Sequence, residues 1–184
     1  MRNLIKKMIM KKIILLFTLI LFTFNGYSQD KGYVGLGLGV AIPSGDATLK
    51  SGLGLNLIGA GYMFSEKIGA TINWGASSHK SSESGFSDVT YGIGYFGIGP
   101  LFRFDAGKSM TIDLKPQYAS TSLAYTVSGI DGSFSGSGFL VGSSFNFAKS
   151  KKWGFGIDVD YMTTTIEDAK INVFAIRGGI QYRF

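Results

Sequence analysis

The chain has 184 residues, of which 27 are glycine, 15 are phenylalanine and none is cysteine. This length accommodates one domain, and the lack of cysteine excludes disulfides, thiolate metal sites and thiol nucleophiles. The net charge of +6 does not indicate a nucleic-acid-binding surface, because five basic residues lie in the first 28, which contain no acid, and the other 13 basic and 12 acidic residues nearly cancel.

Residues 1–28 have the composition of a secretory signal peptide. A basic segment over 1–12 precedes an almost uninterrupted apolar segment over 13–24. A charged start, a short apolar stretch and a small residue at the cleavage point describe such a signal. We expect cleavage after Ser28, within two residues, which leaves 29–184 as the mature domain. An uncleaved anchor is the alternative, but a spanning helix needs about 20 apolar residues.

From residue 32 onward, apolar residues recur with a period of two, which is the signature of β-strands. Most segments drawn from this alternation match or exceed the about 9–11 residues of a tilted membrane strand. They cover 32–42, 52–64, 68–77, 89–104, 110–124, 135–148, 153–165 and 171–184. The pattern predicts an all-β protein, an eight-stranded antiparallel up-and-down barrel.

The connections between these strands differ in length. Three are short polar turns and three are longer loops rich in Ser, Gly and Asp. The turns cover 65–67, 105–109 and 149–152, and the loops cover 43–51, 78–88 and about 125–134. The last connection, near 167–170, is short and weakens the alternation. Short turns at one end and longer loops at the other are typical of outer-membrane barrels, whose short turns face the periplasm.

The last strand separates its two faces most clearly. One face carries large apolar side chains such as Phe174, Ile176 and Ile180, whereas the other carries Arg177 and Gly179. In a soluble barrel the large apolar side chains would fill the interior. Here the opposite face consists of charges and glycines, which suit a narrow lumen better than an exterior. The alternation therefore predicts a transmembrane barrel whose apolar face meets lipid.

Charged residues of both signs fall on the inward face, where ionised groups need partners. We predict that they form a structural charge network in the lumen, with no catalytic role. Its members are Arg103, Asp113, Lys115, Asp158, Asp160, Arg177 and Arg183. A two-residue turn at 168–169 would place Asp160 opposite Arg177. The same register pairs Trp153 with Phe184 and keeps both faces in phase.

Aromatic residues collect at the strand ends beside the short turns, which predicts a girdle at a membrane–water interface. The girdle comprises Tyr62, Phe64, Phe102, Phe104, Phe145, Phe147, Trp153, Phe155, Tyr182 and Phe184. Candidates for an opposite girdle are Trp74, Tyr118, Tyr161 and Phe174. Packing of these rings in a soluble core is the alternative, but their clustering by end as well as by face favours the girdle.

Two features fit this barrel poorly. Pro100 and Pro116 fall inside predicted strands, where each removes a ladder donor, so that bulges are expected. The alternation also slips phase near 57–58 and 93–94, which predicts a bulge at each place.

The glycine-rich start of the mature chain, GYVGLGLGVAIP at 32–43, and its end, IQYRF at 180–184, carry a family resemblance. They resemble the small outer-membrane β-barrel family of OmpA- and OmpX-like eight-stranded proteins, in the version common in Bacteroidetes-type bacteria. The resemblance covers the mature chain as a pattern. It implies that the barrel-assembly machinery reads the final strand, which closes on Phe184, and it supplies no shared catalytic residues.

Two motifs that mark binding or catalytic sites in other proteins are interpreted here as parts of the structure without such a role. The sequence GIGYFG at 92–97 matches the dinucleotide motif G-x-G-x-x-G, but that motif must open a helix, whereas a strand pattern continues to Phe104. His79 is the only histidine and lies in the serine-rich segment 77–83, which we interpret as a solvated loop. A hydrolase site there would need a base within hydrogen-bond reach of its nucleophile. One histidine without cysteine also disfavours zinc.

The sequence therefore predicts a non-enzymatic integral protein of the outer membrane, without cofactor, in contact with membrane lipid. The three longer loops would carry any recognition of an external ligand. Three alternatives stay open: a narrow channel or carrier for a small solute, a lipid-modifying enzyme that uses His79, and a soluble periplasmic binding barrel. An ion path would run along Asp158, Asp160 and Arg177, although eight strands enclose only enough space for side chains.

Overall fold

The computed structural model describes residues 31–46, 48–82, 89–127, 130–147 and 152–184. The eight strands are β1 (Gly32–Gly45), β2 (Gly52–Met63), β3 (Ile68–Lys80), β4 (Thr90–Asp105), β5 (Met110–Val127), β6 (Ile130–Phe147), β7 (Trp153–Ile166) and β8 (Ala169–Arg183). Each strand pairs with its sequence neighbours and β8 pairs with β1, so that the sheet closes. The predicted eight-stranded barrel is confirmed, whereas the predicted signal peptide at 1–28 lies outside the described residues.

Closure brings the start of β1 beside the end of the chain. The amide of Gly32 donates to the carbonyl of Phe184, and the amide of Phe184 donates back, each at 2.9 Å. We call this end of the barrel the terminal end, and the opposite end the distal end. In the described part of the chain, no helix is long and apolar enough to cross a membrane.

The prediction of a longer loop at about 125–134 is wrong, because β5 continues to Val127 and β6 begins at Ile130. Thr126 donates a hydrogen bond of 2.7 Å to Asp131 across this hairpin. The sequence pattern hid these strand ends because serine and glycine replace the apolar residues there. We call residues 119–127 and 130–138 the β5–β6 arm.

The predicted register of β7 and β8 is wrong by two residues. The two-residue turn lies at 167–168, and Asp158, rather than Asp160, stands opposite Arg177. Trp153 likewise pairs two positions earlier than predicted, with Tyr182. Because side chains alternate with a period of two, this error leaves both faces in phase.

Pro100 and Pro116 lie in the wall without the expected bulges. The pairing of β4 with β5 keeps one register on both sides of residues 99–101 and is interrupted only there. In that register the two prolines stand opposite each other. Both missing backbone donors therefore fall within a single gap.

The bulge predicted at 57–58 is confirmed, since the pairing of β2 with β3 shifts between Asn56 and Ile58. Leu57 and Ile58 consequently both face outward. The bulge predicted at 93–94 is wrong, because β4 pairs without a shift there with both neighbours. The apolar residues change face at that point for a different reason, which is described below with the lumen.

Candidate functional site

The outward face of the barrel is apolar toward the terminal end. Phe174, Ile176 and Ile180 are 37%, 48% and 51% exposed, whereas Asp160 and Arg177 are 7% and 3% exposed. A continuous apolar exterior around a charged interior is the reverse of a soluble barrel and suits a lipid surrounding. We call this outward surface the apolar band.

The terminal half of the lumen is filled by ion pairs. Arg103 in β4 donates two parallel bonds, of 2.7 and 2.8 Å, to the carboxylate of Asp113 in β5. Asn146 in β6 donates to the same carboxylate at 3.0 Å. Charge-assisted, bidentate bonds of this kind fix the orientation of both partners, so that three consecutive strands are tied together.

A second pair crosses over a strand. Lys115 in β5 donates at 3.1 Å to Asp158 in β7, and Ser144 in the intervening β6 donates to the same oxygen. Lys115 and Asp160 flank Gly142 of β6, where an added Cβ would collide with the Asp160 carboxylate. The glycine thus provides the room that the charged side chains need.

The third pair joins Arg177 in β8 to Asp160 in β7. Asp160 is the next inward-facing residue after Asp158, and it is Asp158 that stands directly opposite Arg177 in the ladder. Arg183, the remaining residue predicted for the network, is buried near the terminal end. All seven residues named for the lumen network therefore point inward, and six of them form three pairs.

Little empty space remains beside these pairs. A cavity of about 30 Å³ is lined by Asn56, Asn73, Lys115, Asp158 and Gln181 among others. That volume holds about two water molecules. The terminal half of the lumen is thus packed and mainly polar, with one small apolar cluster of Tyr33, Met63 and Leu101.

The distal half of the lumen contains an apolar cluster, which the sequence interpretation missed. Leu49 and Leu123 also pack against it, and the buried polar residues Ser77, His79, Thr121 and Thr164 lie beside it. The cluster comprises Ala41, Ile93, Tyr95, Ala119, Leu140, Met162, Ile166, Ile171, Val173 and Ala175. A residual cavity of about 10 Å³ borders it, so this half is closely packed as well.

The polarity of the wall reverses between the two halves. In β5 the outward residues are apolar up to Tyr118, and from Ser120 onward they are polar or small. The inward residues beyond this point include the apolar Ala119 and Leu123, with the buried Thr121 between them. The polarity reverses at the level of a row of outward aromatic rings, which runs around much of the barrel. The row consists of Trp74, Phe96, Tyr118, Phe139, Tyr161 and Phe174. The same reversal in β4 explains the apparent phase slip near 93–94.

The ten aromatic residues named for the girdle all lie at the terminal end with their rings on the outside. Phe64, Phe104, Trp153, Phe155 and Phe184 are exposed, and the other five are half-buried. Neighbouring rings contact one another, with centroids 5.1 Å apart for Trp153 and Tyr182. Together with the distal aromatic row, they bound the apolar band on both sides.

The interpretation of His79 as part of a solvated loop is wrong. It lies in β3 and is 1% exposed, with Nε2 2.7 Å from Ser77 Oγ and Nδ1 3.0 Å from the carbonyl of Lys50. A carbonyl only accepts, so Nδ1 carries the proton and Nε2 accepts from the serine. The two side chains do meet, but the cavity that Ser77 borders is about 10 Å³, which is too small for a substrate.

The GIGYFG sequence lies within β4, so it does not open a helix that could meet a pyrophosphate. Among the described residues, no group of three or more His, Asp and Glu side chains could hold a metal ion. The features that remain for function are therefore the filled lumen and the distal surface.

Residues 13–184 match the family model of the outer membrane protein beta-barrel domain. Neisserial surface protein A has a similar structure, with 15% identity, a TM-score of 0.67, and coverage of 83% of this chain and 97% of that one. Ail, the attachment invasion locus protein of Yersinia pestis, shares 17% identity over 84% and 100% of the two chains, with a TM-score of 0.53. OprG from Pseudomonas aeruginosa shares 15% identity over 85% and 97%, with a TM-score of 0.53. These identities show a common fold alone, and no curated protein matches the sequence.

Proposed function

The chain belongs to the outer membrane protein beta-barrel domain family and is a protein of the bacterial outer membrane, and on this premise we propose that it acts as a closed, non-enzymatic barrel with a structural or surface-recognition role. The filled lumen carries this proposal. Three ion pairs occupy its terminal half, an apolar cluster occupies its distal half, and the cavities beside them hold about one to two water molecules each.

The rival proposal, a narrow channel or carrier, would need a continuous path. Ions would have to pass the apolar cluster around Ile93, Leu140 and Met162, which are all at most 3% exposed. An ion that enters such a cluster loses its hydration without compensation. The lumen therefore supports a barrel that does not conduct.

The test is single-channel recording of the purified protein in planar bilayers, with a general porin as the positive control. We expect no stepwise conductance from this protein while the porin conducts. Reproducible steps that scale with salt concentration would contradict the proposal and favour the channel.

We place the distal end outside the cell, so that recognition falls to the β5–β6 arm and to the connections 46–51 and 81–89. The connections at the terminal end, 64–67 and 106–109, are short, as is typical of periplasmic turns. Surface labelling of single cysteines introduced at Ser133 and at Glu66 tests this. Label on intact cells at Ser133 alone is the expected result, and label at Glu66 alone would reverse the orientation.

The barrel-assembly machinery is the partner proposed for the last strand. Phe184 is 60% exposed on the outside of the barrel, immediately beside the β1–β8 closure. Removal of Phe184 should reduce the fraction of heat-modifiable, folded protein in the membrane more than Phe155→Ala does, because Phe155 has the same exposure and lies at the same end without being terminal. Equal losses in both variants would refute a specific signal.

A further inference from the structure

The outward face of the β5–β6 arm is a regular surface of hydroxyl side chains. Ser120 stands opposite Ser137, and Ser122 stands opposite Ser135, in the ladder between β5 and β6. All four are exposed. We call these four residues, together with Ser133, the hydroxyl platform. Thr126, farther along β5, donates its hydroxyl to Asp131 and is not counted in it.

The reverse side of the platform is partly packed. Leu123 in β5 contacts the apolar cluster of the lumen, and Tyr125 stacks on Phe134 with ring centroids 5.8 Å apart. The hydroxyls therefore stand on a sheet whose strands are about 4.8 Å apart, with side chains repeating about every 7 Å along each strand. An array on paired strands gives up less conformational entropy when it binds a ligand than an array on a flexible loop would.

The position of the platform limits what can lie against it. Tyr118 and Phe139, which contact each other at 6.0 Å between centroids, belong to the distal aromatic row, and the platform begins at the next outward residues of both strands. Below the row the wall meets acyl chains, so directly above it the wall meets the head groups of the same lipid leaflet. The platform thus continues the surface by which the barrel already contacts lipid.

The chemistry of the platform selects among head groups. It contains no Lys or Arg, the residues that bind phosphate through charge-assisted bonds. Each hydroxyl both donates and accepts, which matches the hydroxyls of a sugar, and the rings of Tyr118 and Phe139 at its base offer apolar surface for sugar C–H groups. We propose that the hydroxyl platform binds the neutral saccharide head group of a glycolipid in the leaflet that surrounds the distal end.

This inference rests on the proposed recognition role of the distal end, but lipid retention and conductance are separate measurements, so each proposal can fail alone. The experiment is native mass spectrometry of the full mature protein released from mixed-lipid nanodiscs. The nanodiscs contain phosphatidylcholine, phosphatidylglycerol and digalactosyldiacylglycerol, whose head group is a neutral disaccharide. We expect the galactolipid to be retained about fivefold over phosphatidylcholine, as one net hydrogen bond would give.

The test variant replaces Ser120, Ser122, Ser135 and Ser137 by alanine, which removes the hydroxyls from exposed strand positions. The matched control replaces Ser44 and Ser78, two exposed outward serines near the distal end of β1 and β3. Heat-modifiable gel mobility shows that both variants are folded. The platform variant should lose the galactolipid preference, and the control should keep it.

Three results would overturn the proposal. Galactolipid retention that is equal in the wild type and the platform variant would show that the hydroxyls do not bind it. Preferential retention of phosphatidylglycerol would show a charged head group instead. Complete displacement of the galactolipid by the free disaccharide, at concentrations equal to those of the lipid, would show that the site takes soluble glycans.

Discussion

The terminal and distal halves of the barrel are built from the same strands but have opposite polarity. Toward the terminal end, β7 turns Phe155 and Ile157 outward and Asp158 inward, whereas toward the distal end it turns Thr165 outward and Ile166 inward. The backbone alternation does not change along the strand. The surrounding solvent, which is lipid for one half and water or head groups for the other, therefore decides which face is apolar.

The two interiors are stabilised by different forces. The terminal half buries charges, whose desolvation is offset only while each has its partner. The distal half buries hydrocarbon, which stabilises it as it would a soluble core, at about 25 cal/mol per Å². Substitutions matched between the halves therefore have different effects, and each of the following variants tests this comparison by urea-induced unfolding from phosphatidylcholine vesicles.

The largest effect is expected from the loss of one charge in the terminal half. Asp158→Ala leaves Lys115 buried without its partner, which should lower the free energy of unfolding by about 3–5 kcal/mol. The double variant Asp158→Leu with Lys115→Met should recover most of this loss, because no unpaired charge remains. A double variant as unstable as the single one would mean that the ion pair itself stabilises the barrel.

Truncation in the distal half should have the next largest effect. Leu140 is 1% exposed within the apolar cluster, and Leu140→Ala should lower the free energy of unfolding by about 3 kcal/mol through the cavity it leaves. Its neighbour Val141 faces outward in the apolar band, so Val141→Ala should change stability by less than about 1 kcal/mol. Similar losses in both variants would argue against a packed distal core.

A lysine on the outside of β7 distinguishes the two environments directly. Ile157→Lys, near the middle of the apolar band, should lower the free energy of unfolding by about 2–3 kcal/mol, since it puts a charge in lipid. Thr165→Lys lies on the same face beyond the distal aromatic row and should be close to neutral. Equal effects would place the membrane boundary elsewhere than at Tyr161.

The smallest effect is expected at His79. His79 is 1% exposed, so His79→Ala removes the donor to the Lys50 carbonyl and also leaves a cavity. Together these should lower the free energy of unfolding by about 2 kcal/mol. Hydrogen exchange at the connection 46–51 should accelerate, because His79 holds Lys50 in place. The lipid composition of the membrane should not change. An altered acyl-chain pattern would instead support the hypothesis of a lipid-modifying enzyme.

Much of the wall could be predicted from the sequence, because a period of two in Phe174, Ile176 and Ile180 identifies both a strand and its faces. The β5–β6 arm was missed because Ser120 and Ser137 carry no apolar signal outside the lipid. The apolar cluster was missed because one polarity was assumed for the whole length of each strand.

Two further errors have a local origin. The register of β7 with β8 depends on the conformation of the turn at 167–168, and a shift by two residues leaves every face unchanged, so periodicity cannot detect it. The burial of His79 depends on the carbonyl of Lys50, which is distant in sequence and contributes no side chain. Neither the β7–β8 register nor the contact between His79 and Lys50 can be recognised from the pattern of residue types.

The facing prolines of β4 and β5 have a consequence for how these two strands are aligned. Each proline removes a backbone donor, and in lipid every lost backbone hydrogen bond is costly. With Pro100 opposite Pro116, the two disruptions overlap and interrupt the ladder once. Sliding one strand along the other would separate the two prolines and interrupt the ladder at two places. The facing prolines therefore favour the observed register over shifted ones.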